Sequence, residues 1–193
     1  MTHPARLISS AVIVLALFTG GALSVEGQMF DVARQTTTGN FLAGREALAD
    51  MRTEDAARYF SDAAIDDWDN PILVERSFIA YAANGQVPDS ARVARHLHEL
   101  VAPNDLASLV IAAEALKDRR YAAAARELEN VGGDTYAGIA GGVLRAWALT
   151  ADGNVDEANT LLDTVGQGGL EDFLVFHRAL MAAGCAHVLG PLA

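Results

Sequence analysis

The stretch Asn40–Ala63, NFLAGREALADMRTEDAARYFSDA, decides the fold of this chain. It contains two runs typical of helices, with the small residues Gly44 and Ala56 twelve positions apart. Small side chains at a contact let two helices approach each other closely. Phe60 and Ala63 lie four and seven residues after Ala56, which places all three on one helix face. The stretch therefore predicts a helix pair that touches at Gly44 and Ala56, with Phe60 filling the gap to the next helix.

The same arrangement recurs along the chain at nearly equal intervals. Ala56 is followed, at gaps of 35, 33 and 34 residues, by Ala91, Ala124 and Ala158. Each of these alanines lies near the start of a run typical of a second helix. Such a period is characteristic of repeat architectures, in which helix pairs bury their apolar faces by stacking. No alternating β-branched pattern is long enough to predict a sheet. The chain is therefore predicted to be all-α, with about four helix pairs plus a lone terminal helix.

The predicted boundaries divide the chain into four parts. Residues 1–24 form a signal peptide, residues 25–37 a leader segment, residues 38–183 the repeat array, and residues 184–193 an irregular tail. The second helix of the third pair is predicted over Tyr121–Val131, and the lone terminal helix over Leu170–Ala183. That last helix carries Phe173, Phe176 and Leu180 on one face. These three side chains are expected to stay partly uncovered.

The period and the small and aromatic positions resemble those of the tetratricopeptide repeat (TPR) family, here an exported bacterial member. The resemblance covers about residues 38–166. In the second pair, Arg95 and His98 stand where the first pair has Phe60 and Ala63. The resemblance implies a right-handed α-α superhelix, a TPR solenoid, whose first helices line a concave surface. It also implies that this surface binds a protein or peptide partner.

Mapped through the small residues, the resemblance predicts a partner-binding groove made by side chains of the first helices. These residues are Phe41, Arg45, Arg76, Asn84, Leu109, Lys117 and Trp147. Chaperone-binding TPR domains hold a carboxylate with Lys and Asn at set places. Here Phe41 and Arg45 occupy the first two of those places, so the carboxylate clamp is absent. Trp147 is the one tryptophan in the predicted groove, and Trp and Arg often anchor interfaces.

The charge of the chain bears on its partners. Its 25 acidic and 14 basic residues give a formal net charge of −11. Nucleic-acid binding needs a basic patch that releases counterions, so no nucleic-acid partner is expected. An anionic membrane surface is disfavoured for the same reason. The single cysteine, Cys185, cannot form a disulfide within the chain.

The N-terminus has the three-part layout of a secretory signal. Arg6 precedes the apolar run Leu7–Phe18, and Ala22 and Ser24 supply the small residues of a cleavage site. Export without cysteine pairs favours a bacterial periplasm. The alternative is an uncleaved anchor, because Leu7–Leu23 is just long enough to span a membrane. The chain would then be an inner-membrane protein with a periplasmic domain.

No motif in the sequence predicts catalysis, a cofactor or a metal. His96 and His98 lie two apart on a predicted helix and point in different directions, unlike a metal-binding i,i+4 pair. The acidic run Asp66–Asn70 lacks the Gly and Glu of a calcium loop. The glycines of 132–142 are not followed by Gly-Lys-Ser/Thr. The predicted function is a non-enzymatic protein–protein interaction scaffold. The alternative is a membrane-anchored accessory subunit of a bacterial envelope assembly.

Overall fold

The computed structural model describes residues 36–132, 135–165 and 169–189. The predicted signal peptide and nearly all of the leader segment lie outside them. Over the described residues the chain forms nine α-helices and no strand, which confirms the all-α prediction. In chain order the helices are α1 Thr37–Ala49, α2 Thr53–Ile65, α3 Pro71–Ala83, α4 Val87–Leu100, α5 Asp105–Lys117, α6 Tyr121–Glu127, α7 Tyr136–Ala151, α8 Val155–Val165 and α9 Glu171–Leu189.

The helices fall into two compact units. The first runs to Asp67 and contains α1 and α2, and the second begins at Trp68 and contains α3 to α9. No helix among the described residues is long and apolar enough to cross a membrane.

Helix starts follow from polar capping side chains. The side-chain oxygens of Thr36, Asn70 and Asn104 accept hydrogen bonds from the first free backbone N–H groups of α1, α3 and α5. Thr135 does the same for α7. These bonds replace partners that the first turn of a helix lacks. Polar residues in the sequence thereby set where four of the first helices begin.

The first unit is a helix pair built around Gly44. A Cβ atom added at Gly44 would lie 3.0 Å from the Cζ atom of Phe60, which is tighter than an ordinary van der Waals contact, so the absence of a side chain favours this close packing of the α2 ring on α1. Ala47, Ala56 and Phe60 are fully buried. This confirms the predicted close contact. Phe60, however, fills the space over Gly44 within its own pair.

The second unit packs its helices in chain order. Contacts join α3 to α4, α4 to α5, α5 to α6, α6 to α7, and α7 to α8. Two further contacts join alternate helices, since α5 packs on α7 and α7 packs on α9. One core cluster centres on Val74, Phe78 and Leu97, and a second includes Leu128 and Leu162. Ala91, Ala124 and Ala158 are all buried, as their spacing predicts.

Two predicted boundaries are wrong. Helix α6 ends at Glu127 and does not reach Val131, because Val131 donates to the carbonyl of Leu128, three residues back, in a turn. The turn brings Val131 against Gly141, where an added Cβ would lie 2.6 Å from its Cγ1 atom. At the other end, α9 continues to Leu189, beyond the predicted end at Ala183. The part of the predicted irregular tail up to Leu189 is therefore helical.

Candidate functional site

Trp147, the tryptophan of the predicted groove, lies on α7 and faces α9. Its indole Nε1 donates a hydrogen bond of 3.0 Å to Nδ1 of His177. The ring is half-buried and packs against the core cluster of α5 to α9. An indole N–H can only donate, so Nδ1 of His177 is the acceptor and its proton sits on Nε2. The packing of the indole ring and its hydrogen bond to His177 together fix the orientation of Trp147.

Phe173 and Phe176 surround the same histidine on α9. The ring centroid of His177 lies 4.4 Å from that of Phe173 and 6.1 Å from that of Phe176, both edge-on. Phe173 is 46% exposed and Phe176 is 60% exposed. We call these four rings the aromatic cluster: Trp147, Phe173, Phe176 and His177. It places exposed aromatic surface beside a predicted groove residue, and no sequence pattern pointed to the role of His177 in it.

The predicted groove residues of the second unit divide into exposed and packed side chains. Arg76 on α3 and Lys117 on α5 are exposed. Asn84 ends α3, and its side-chain amide donates a 2.8 Å hydrogen bond to Gln86. Leu109 is half-buried and packs against the core cluster of α5 to α9. Arg76 and Lys117 are therefore open to solvent, whereas Asn84 has a turn role and Leu109 a packing role.

The two predicted groove residues of the first unit also differ. Arg45 is exposed. Phe41 is half-buried, and its ring meets the edge of Phe60 with the centroids 5.8 Å apart. An edge-to-face pair of this kind contributes packing energy within the pair α1–α2. Phe41 thus belongs to the helix contact more than to an open surface.

The two histidines of α4 face different neighbours, as their spacing predicts. The ring of His96 stacks on Trp68 at 4.8 Å, and its nitrogens lie 3.2 Å from carboxylates of Asp69 and Glu99. His98 instead approaches the backbone of Asn104. Within the ranges that the structure describes, no group of three or more His, Cys, Asp or Glu residues is placed to hold a metal ion.

A cleft of about 290 Å³ lies between α7, α8 and the turn after α6. It is lined by Val131, Gly142, Arg145 and Val165, among others. Two carboxylates approach the guanidinium of Arg145, Glu157 at 3.6 Å and Glu129 at 4.0 Å. The Nε atom of Arg145 is buried without a hydrogen-bond partner in the described part of the chain. The mixed charge around Arg145 gives this cleft no preference for an anion.

Ion pairs cross the surface of the second unit between helices. Glu114 on α5 receives a hydrogen bond from Arg95 on α4 and another, at 3.3 Å, from Arg120 beside α6. Its side chain is only 14% exposed, which makes this network better shielded than an ordinary surface pair. The network ties three helices together and leaves Arg76 and Lys117 outside it.

Comparison of the chain with models of protein families, with curated proteins and with solved structures gives no match.

Proposed function

We propose that this chain is a non-enzymatic, TPR-like scaffold that binds a protein or peptide partner on the surface of its first helices. The buried alanines at intervals of 33 to 35 residues support the repeat architecture. Contacts from α5 to α7 and from α7 to α9 support a stack of first helices, as a solenoid requires. The finer proposal is a right-handed superhelix with its concave side formed by these helices.

The observation that carries the binding role is the setting of Trp147. A large aromatic ring sits on a first helix, half-buried, with its polar tip already paired to His177. A ring that is fixed before binding loses little conformational freedom when a partner covers it. The exposed cations Arg76 and Lys117 lie on other first helices and suit a partner with acidic or carbonyl groups.

Site-specific photo-crosslinking in cells tests this proposal. A photoreactive residue replaces Arg76 or Lys117 on first helices, and Arg126 on the second helix α6 serves as the matched control because it is also exposed. We expect crosslinked partner from Arg76 and Lys117, and a weaker or absent product from Arg126. Equal yields from all three positions would contradict a binding surface on the first helices.

The proposed location is the bacterial periplasm after removal of the signal peptide. The alternative is an inner-membrane accessory subunit that keeps its first segment as an anchor. Mass spectrometry of the native N-terminus separates the two, because a chain that begins near Val25 has lost the signal. A chain that retains Leu7–Leu23 and fractionates with membranes would favour the anchored subunit.

A further inference from the structure

We propose that the outward side of α9 is a second docking surface, one that takes an amphipathic helix with basic residues in its last turn. Four apolar side chains form this surface, which we call the outer α9 face: Phe173, Val175, Phe176 and Leu180. They are 46%, 60%, 60% and 42% exposed. The proposal goes beyond the groove of the first helices and does not depend on a partner being bound there.

The sequence of α9 is that of a helix covered on all sides. From Phe173 to Gly184 its only polar residues are His177 and Arg178. Both turn inward: His177 accepts from Trp147, and Arg178 pairs with Asp163 of α8. The outer α9 face therefore carries no charge. A helix that is apolar around its whole circumference is normally buried in a larger structure.

The inner side of α9 shows how the helix is oriented. Leu174 and Met181 are each only 4% exposed and belong to the core cluster of α5 to α9. Helix α9 packs on α7 as α7 packs on α5, so it occupies the place of a first helix. Helix α7 has α8 as its second helix, and within the described residues no helix covers α9 in the corresponding way.

Acidic residues mark one end of the outer α9 face and select the charge of the occupant. Glu171 and Asp172 are exposed in the first turn of α9, four residues before Val175 and Phe176. Residues four apart share a helix face, so the two carboxylates lie at the N-terminal end of the apolar surface. The three residues between α7 and α8 force those helices to run antiparallel. The proposed occupant packs antiparallel to α9, as α8 does to α7, which places its C-terminal end beside Glu171 and Asp172.

A basic C-terminal turn fits that position for two reasons. Lys or Arg there pairs with the two carboxylates, and it also complements the negative end of the incoming helix dipole. A second copy of this chain offers a poorer match, because the half of α9 after Arg178 contains no Lys or Arg. An anionic membrane surface is disfavoured by the same carboxylates. The geometry therefore favours a separate amphipathic helix.

The test uses two fluorescent synthetic helices and the full chain. Both peptides carry one stripe of Leu and Ala, and they differ only in having Lys or Glu in the last turn. Fluorescence anisotropy is expected to show the Lys peptide binding about tenfold more tightly at low salt, with the difference shrinking as salt rises. Replacing both Glu171 and Asp172 with Lys should reverse the order of the two peptides.

Matched variants locate the binding. Phe176→Ser should weaken both peptides by about tenfold, since it removes an aromatic anchor from the surface. Tyr136→Ser, which removes an 88% exposed ring from α7, should leave binding unchanged. Circular dichroism confirms that each variant is folded. No peptide binding, or equal loss in both variants, would overturn the proposal. So would a dimer that Phe176→Ser converts to a monomer, because a second copy would then be the occupant. Absence of crosslinked partner at Arg76 and Lys117 would contradict only the proposed groove of the first helices, because the outer α9 face is tested separately with the peptides.

Discussion

At the scale of single residues, the small side chains at helix contacts control how closely the helices approach. Ala158 on α8 is 1% exposed and belongs to the core cluster of α5 to α9. Gly44 has no room for a Cβ atom without tightening its contact with Phe60. These positions tolerate little added volume because protein interiors are packed at crystal-like density.

Ala158→Leu should therefore destabilise the chain. The longer side chain overpacks the contact of α8 with its neighbours, at a cost of about 1–3 kcal/mol in the free energy of unfolding. Urea unfolding followed by circular dichroism measures this change. Ala83→Leu, at an exposed position near the end of α3, is the control and should have little effect. Equal stability of the two variants would mean that Ala158 lies at no tight contact.

Asp55 at the start of α2 links stability to pH. Hydrogen bonds from Arg58 and Arg52 lower the pKa of the Asp55 carboxyl below its ordinary value. A carboxyl with a lower pKa in the folded state stabilises that state above its ordinary pKa of about 4. The stabilisation is lost as the pH falls through the folded-state value.

Asp55→Asn should accordingly lower the midpoint of urea unfolding at pH 7 and lower it much less at pH 2. The asparagine cannot make the charged pairs at either pH, whereas the wild-type carboxyl loses them only on protonation. Asp62→Asn, an exposed change on the same helix, is the control and should show a smaller difference between the two pH values. If the midpoints of urea unfolding of wild type and Asp55→Asn differ by the same amount at both pH values, the link between Asp55 and pH is contradicted.

At the scale of helices, the pair α7–α8 depends on a glycine. A Cβ atom added at Gly142 would lie 2.5 Å from the Cγ2 atom of Val165. Valine is branched at Cβ and has few rotamers with which to move away. The close approach of α8 to α7 therefore requires a residue without a side chain at this point.

Gly142→Ala should destabilise the chain even though alanine favours a helix by about 1 kcal/mol over glycine. Val165→Ala combined with Gly142→Ala should recover stability relative to the sum of the two single changes, because the clash is removed. A double-mutant cycle from thermal or urea unfolding gives this coupling energy. Strict additivity of the two changes would show that Gly142 and Val165 do not meet.

At the scale of the whole molecule, the helices of each compact unit pack mainly on their neighbours along the chain. Residues 36–67 and the helices after Trp68 form separate compact units. In an array of this kind local stability falls where a unit lacks a neighbour. Helix α9, with its outer face exposed, is the described helix with the least cover.

Hydrogen exchange followed by mass spectrometry should show this gradient. We expect amides of residues 171–184 to exchange faster than those of α5 and α7, which have helices on more than one side. Adding the Lys peptide described above should slow exchange in residues 171–184 and leave α1 and α2 unchanged. Strong protection of α9 in the free monomeric chain would show that its outer face is closed without a partner.

Most of the secondary structure could be predicted from the sequence, since its causes are local. Capping residues such as Asn104, the proline at position 71 and the left-handed glycine at position 85 (φ 73°) act within one turn of chain. Both errors in the predicted helix ends arose because those ends do not follow the nearest glycines: α6 ends at Glu127, ahead of Gly132, and α9 continues through Gly184 to Leu189. The end of α6 depends on the packing of Val131 against Gly141, ten residues further along, which no local pattern records.

The sequence by itself determined that the described residues form helices and no strands, where most of those helices begin and end, and that the alanines spaced about 34 residues apart are buried. It did so because helix capping depends on neighbouring residues, and because the small residues of the helix contacts recur about every 34 residues, in each helix pair. Only the tertiary structure decided the surfaces. The pairing of Trp147 with His177, thirty residues apart, the packing of Phe41 on Phe60, and the exposure of Phe176 all depend on which helices meet. Such contacts join segments that are far apart in the sequence. A pattern along one helix does not show which distant helix will pack against it.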